Sequence, residues 1–107
     1  MIHEIHNTDE NGNPAGGKTV STGPSTGLSI EWQNGPLAVD GVRKDPNGAF
    51  VEDVIAAAIG RIGFYQAGKF HCLENAAALG HLLAAAEILA ERTRDRDRRQ
   101  VEGTHQR

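Results

Sequence analysis

The sequence predicts an α+β chain: a small N-terminal antiparallel β-meander followed by a C-terminal antiparallel two-helix hairpin, assembled as an oligomer. Three observations predict it. Leu28, Ile30 and Trp32 alternate with Ser29, Glu31 and Gln33, the period of a strand with one apolar face. From Phe50 the period changes. Val51, Val54, Ile55, Ala58, Ile62 and Tyr65 recur at helical spacing, and Cys72, Ala76, Leu79, Leu83, Ala86 and Ala90 do so again, with Leu82 and Leu89 alongside. Apolar residues make up 38% of the 107 residues and aromatics 5%, so one copy has little with which to fill an interior. A chain this short of core material commonly completes it by association. The meander is expected over residues 1–46 and the hairpin with its basic tail over 47–107, as one compact unit.

The elements follow in order. Met1 to His6 alternates as a short strand. Asn7 to Pro14 is dense in turn formers, with Asn11-Gly12 as the hairpin tip. Gly16 to Gly23 carries Thr and Val between glycines and reads as a second strand, and Gly27 to Gln33 is the third. Leu37 to Lys44 is expected to be irregular. Asn47 is expected to cap the first helix with its side-chain carbonyl, and Glu52 and Asp53 suit the positive end of that helix. Gly60 and Gly63 cost the helix about 1 kcal/mol each relative to Ala, which implies close approach of a neighbouring backbone or a ligand. Gly68 suits the helix end. The second helix is expected from about Leu73 to about Arg98, and the short link Gln66–His71 makes the pair antiparallel. Its wide, alanine-rich apolar arc implies two contact faces, one in the hairpin and one between subunits.

A net charge of −3 argues against a nucleic-acid polymer as partner. Six of the eleven Lys and Arg residues nevertheless lie at positions 92–107, which allows a local anion site. The single cysteine, Cys72, excludes an intrachain disulfide and fits a reducing compartment. No apolar run is taken to approach the ~20 residues of a membrane span, and Met1–Ile5 lacks the basic start of a signal peptide. A soluble, intracellular protein without a membrane partner is expected.

Arg92, Arg96 and Arg99 share one helical face, and Arg94 and Arg98 share another. Paired guanidinium donors match phosphate oxygens, whereas the plain alternative is a solvated helix end. Phe64, Tyr65 and Phe70 cluster near the turn, either as packing or as a stacking platform for a base. Asn75 either offers an amide to a base or ribose or makes a local backbone bond. Gly103 and Thr104 can present an N–H and a hydroxyl, and Glu102 can accept from a ribose hydroxyl. The histidines form no metal signature. No catalytic set can be ordered, and no cofactor is expected. Gly16-Gly17-Lys18-Thr19 is set aside as a phosphate loop for want of a leading glycine.

Trp32-Gln33-Asn34-Gly35-Pro36, Asn47 to Val54, Arg92-Thr93 with Arg96, and Val101-Glu102-Gly103-Thr104-His105 resemble the phage anti-Thoeris sponge family. Its helical hairpin is shared with phage anti-CBASS sponges. The resemblance runs from about Gly16 to His105, with Arg-Thr and Val-Glu-Gly-Thr-His its most specific pieces. It implies sequestration without catalysis, in the cytoplasm of an infected bacterial host. The ligands implied are cyclic ADP-ribose isomers, and in some members cyclic di- or trinucleotides, held by a dimer or a hexamer built from dimers. By this resemblance Asn75, Arg92 and Arg96 match polar pocket positions and Tyr65 the stacking position, where relatives also carry Phe. The Glu102-Gly103-Thr104-His105 segment is implied as a loop at a subunit-interface pocket. Two other classes stay open: an adaptor whose hairpin binds another protein, and a nucleotide-cleaving enzyme using Glu102 or His105.

Overall fold

A computed structural model describes residues 1–105, leaving aside the side chains of Val39 and of residues 100–105. The class is α+β, in the order β1 (Ile2–Thr8), β2 (Pro14–Ser21), β3 (Ser29–Asn34), β4 (Ala38–Val39), β5 (Val42–Arg43), α1 (Val51–Gln66) and α2 (Leu73–His105). Two compact units result, one of Met1–Phe50 and one that begins at Val51.

In the first unit β1, β2 and β3 form an antiparallel sheet in chain order. The β1–β2 turn is built around Asp9, a residue the sequence reading did not single out. Its Oδ1 accepts the N–H groups of Asn11 and Asn13, both at 2.9 Å, while Gly12 takes a φ of 81°. The bond from Asn13, then that from Asn11, holds the Asp9 carboxyl below its ordinary pKa. One face of the sheet is stitched across all three strands. The Trp32 indole N–H donates to Thr19 Oγ1 at 2.8 Å, and the Thr19 hydroxyl donates to Glu4 Oε1 at 3.3 Å. Thr19, only 3% exposed, is the one buried residue among those described.

Asn47 does not cap α1. It closes the outer edge of β3: Asn34 N–H donates to Asn47 Oδ1 at 2.8 Å, and Asn47 Nδ2 donates to Asn34 C=O at 2.9 Å. Gln33 Oε1 accepts the N–H groups of Asn47 and Gly48. Ala49 then pairs in parallel beside Trp32, donating to Glu31 C=O and accepting from Gln33 N–H. Residues 47–49, assigned to the helical part from sequence, therefore pair within the sheet unit. The close fit leaves no room for side chains at two glycines. A Cβ on Gly48 would stand 2.5 Å from the Trp32 carbonyl carbon, and one on Gly17 would stand 2.1 Å from the Ile5 carbonyl oxygen.

The segment expected to be irregular forms the two-residue hairpin β4–β5. Asp40 and Gly41 take φ of 53° and 78°, both positive as a type I′ turn requires. The sequence also holds the leading glycine of a phosphate loop, contrary to expectation. Gly12 does stand five residues before Gly17, so Gly12 to Thr19 spells G-x-x-x-x-G-K-T. The stretch is nonetheless a β-turn running into β2 rather than a loop opening a helix, and Lys18 lies 3.9 Å from Glu31.

In the helical unit, α1 and α2 pack along a half-buried seam that includes Ile55, Ile59 and Ile62 of α1 and Leu79, Leu82 and Leu89 of α2. Of the expected line Leu79, Ala86 and Ala90 are half-buried, as are Leu82 and Leu89 alongside it, whereas Cys72, Ala76 and Leu83 are exposed. Gln66 clamps the link by donating from Nε2 to Cys72 C=O and accepting Cys72 N–H at Oε1. Farther along, the single hydroxyl proton of Thr93 has two acceptors in reach, Leu89 C=O at 3.1 Å and Glu52 Oε2 at 3.4 Å. Nothing lies within 4 Å of a Cβ built on Gly60 or Gly63, so packing within the chain does not explain them. The Leu73–Arg99 stretch is long and apolar enough, by length and composition, to cross a membrane, which corrects the expectation that no stretch comes near. Alanines supply much of that apolar character, and the stretch carries ten charged residues, Glu74, Glu87 and eight from Glu91 to Arg99, which are costly in a bilayer centre.

Replacing Gly17 or Gly48 by Ala is expected to destabilise the sheet unit by about 2 kcal/mol or more, because backbone must move to admit a methyl group. Gly27→Ala, with open space around it, is expected to be near neutral. Urea unfolding of the full-length variants checks the contrast.

Candidate functional site

The helical unit carries two clusters that can meet a small anionic ligand, one of guanidinium groups and one of rings. The first lies on α2. Arg94 Nη2 is 3.3 Å from Glu87 Oε1, Arg98 Nη2 is 3.0 Å from Asp95 Oδ1, and Arg99 Nη2 is 2.9 Å from Asp95 Oδ2. These three guanidinium groups are neutralised along their own helix. Arg92 and Arg96, one turn apart and both exposed, have no ion-pair partner among the described residues. Arg92 lines a shallow groove of about 460 Å³ with Ile88, Glu91, Arg94, Asp95 and Arg98, and Arg96 is not part of its wall. The bond from Arg98, then the charge of Arg99, holds the Asp95 carboxyl below its ordinary pKa.

The second cluster lies where α1 meets the link. Phe64 and Tyr65 stand 6.1 Å apart between ring centroids, tilted by 56°. The Arg61 guanidinium lies 5.1 Å from the Phe64 centroid and 5.0 Å from that of Tyr65, and its Nε–H donates to the Tyr65 hydroxyl at 3.0 Å. Lys69 Nζ lies 5.7 Å from the Phe70 centroid. Phe64, Tyr65, Lys69 and Phe70 line an apolar hollow of about 300 Å³. Arg61 escaped the sequence reading, although its three- and four-residue spacing from the two rings is the signal that finds it. Asn75 makes local bonds: its N–H reaches Cys72 Sγ, and its Nδ2 donates to Phe70 C=O at 3.4 Å. Its amide oxygen accepts no hydrogen bond among the described residues.

One copy of the chain does not bring the two clusters together. Arg92 lies seventeen positions after Asn75 along α2, a rise of about 25 Å. α2 continues past the expected end at Arg98 to His105, so the backbone of the Glu102-Gly103-Thr104-His105 segment is helical rather than a loop. The side chains of Glu102, Thr104 and His105, and the site role of Gly103, lie outside the described residues. Among the described residues no group of three His, Cys, Asp or Glu is placed to hold a metal ion.

No protein-family model matches the chain. It is similar to Thoeris anti-defense 1 of Bacillus phage SBSphiJ7, with 40% identity over 78 residues. The match covers 73% of this chain and 52% of that protein, so the chain spans about half the length of the curated relative.

Arg98→Ala is expected to raise the Asp95 pKa toward its ordinary value, read by NMR titration of the carboxyl carbon. In the unaltered protein the folded-state pKa is the depressed one. The stabilisation from Asp95 is therefore present above the unfolded value and lost as pH falls through the folded value. Over the aligned residues, the chain is a homologue of the phage anti-Thoeris family.

Proposed function

We propose that the protein is a phage anti-defence protein that binds cyclic ADP-ribose-type signals of Thoeris immunity inside the infected cell and keeps them without cleaving them. The observation that carries this reading is the division among the arginines. Arg94, Arg98 and Arg99 are held by Glu87 and Asp95, while Arg92 and Arg96 stand open on one face. Two open guanidinium groups suit a pyrophosphate, and a half-buried ring beside a cation suits a purine. The ligand site is composite. The ring end of one hairpin meets the arginine end of a second, antiparallel copy, which removes the separation of about 25 Å within one chain. Tyr65 then stacks on the base, Arg92 and Arg96 hold phosphate, and the free Asn75 oxygen accepts from an amino or ribose hydroxyl group. Phe64 and Phe70 widen the apolar floor. Capture of this kind needs no general acid or base. Cyclic di- and trinucleotides are further ligands of the same chemical class.

Titration calorimetry with cyclic ADP-ribose isomers and a cyclic dinucleotide tests the reading. Binding is expected for at least one of them, with a loss of tenfold or more in Arg92→Ala and Arg96→Ala and near-full retention in Tyr65→Phe. Ligand is expected to be recovered intact after denaturation, whereas a cleaved product would support an enzyme. Indifference to all these ligands at submillimolar concentration overturns the reading. An adaptor role is favoured by the exposure of Leu73, Leu83 and Ile88 on α2. A native mass of one protomer without ligand would support that alternative.

A further inference from the structure

We infer that β1 is an interface strand, pairing antiparallel with β1 of a second copy of this chain about a two-fold axis at Ile5, with Glu4 opposite His6 of the second copy. This inference does not depend on the ligand reading. β1 is an edge of the sheet, and all seven of its residues are exposed. It runs Ile-His-Glu-Ile-His-Asn-Thr, without the lysine or proline that commonly protects a free edge. Ile2 and Ile5 are 58% and 50% exposed, one on each face.

The backbone pattern fixes which groups are open. Thr22 N–H donates to Met1 C=O, in line with the β1–β2 register Ile2↔Ser21 to His6↔Gly17. Antiparallel alternation therefore turns the N–H and C=O groups of His3 and Ile5 toward β2 and those of Ile2, Glu4 and His6 outward. Only registers that match open residues with open residues can form the ladder. One of them sets Glu4 against Glu4 and another sets His6 against His6, each placing two identical polar groups side by side. The register about Ile5 sets Glu4 against His6 twice, and brings the two exposed Ile5 side chains together on the other face. Within one chain Glu4 Oε2 already lies 3.6 Å from His6 Nε2, so the two copies form a continuous Glu–His cluster across the junction.

Cysteine cross-linking in a Cys72→Ser background tests the pairing without a ligand. Opposed residues of a non-hydrogen-bonded antiparallel pair have Cα atoms about 4.5 Å apart, within disulfide reach. Ile5→Cys is expected to give a covalent dimer on mild oxidation at least tenfold faster than the exposed control Thr26→Cys. His3→Cys and Asn7→Cys are expected to cross-link when mixed but not alone. Glu4→Lys is expected to slow the Ile5→Cys reaction, and Glu4→Lys with His6→Glu to restore it, with circular dichroism confirming that each variant folds. Faster dimerisation of Glu4→Cys or His6→Cys than of Ile5→Cys overturns the register. Ile5→Cys reacting no faster than the control overturns the interface.

Discussion

No apolar side chain among the described residues is buried, and the rest of the structure answers to that shortage. A fully buried Leu or Ile contributes about 1.5–3 kcal/mol, and a half-exposed one only part of it. The sheet unit compensates with directed polar contacts. Asp9 ties its turn, the Trp32–Thr19–Glu4 chain ties its face, and Asn47 with Gln33 ties its far edge. The hairpin compensates less, since its seam is half-buried and Leu83 and Ile88 face outward. In the proposed assembly a second copy supplies the missing burial, so ligand capture and folding stability draw on the same association.

Much of the fold was legible in the sequence because it rests on period and turn chemistry. The alternation through Trp32 and the helical spacing after Phe50 both led to the observed elements. Asp40-Gly41 carried a hairpin signal as clear as Asn11-Gly12, but strands of two residues have no period to notice. Asn47 was misplaced for another reason. An asparagine ahead of an apolar helix fits a cap locally, and only tertiary pairing with Asn34 decides against it. The same pairing gives two of the motif blocks that carried the family resemblance a structural role. Trp32-Gln33-Asn34 and Asn47-Gly48-Ala49 hydrogen-bond to each other, and Gly48 is needed because the Trp32 backbone fills its side-chain space.

The candidate site was less legible. Spacing put Arg92, Arg96 and Arg99 on one face, but it could not say which carboxylate would hold which arginine. Asp95 reaches forward three and four residues to Arg98 and Arg99, and Glu87 reaches Arg94 a full two turns away. That allocation is what separates Arg92 and Arg96 from their neighbours. Asn75 shows the opposite case, with the local bond of its side chain competing with any outside partner.

The indole of Trp32 is the only one in the chain, and its N–H is bonded to the only buried hydroxyl among the described residues. Exchange of that single proton with deuterated solvent is therefore a clock for opening of the sheet unit. An event at the hairpin that changes the clock would have travelled between the two halves of the protein.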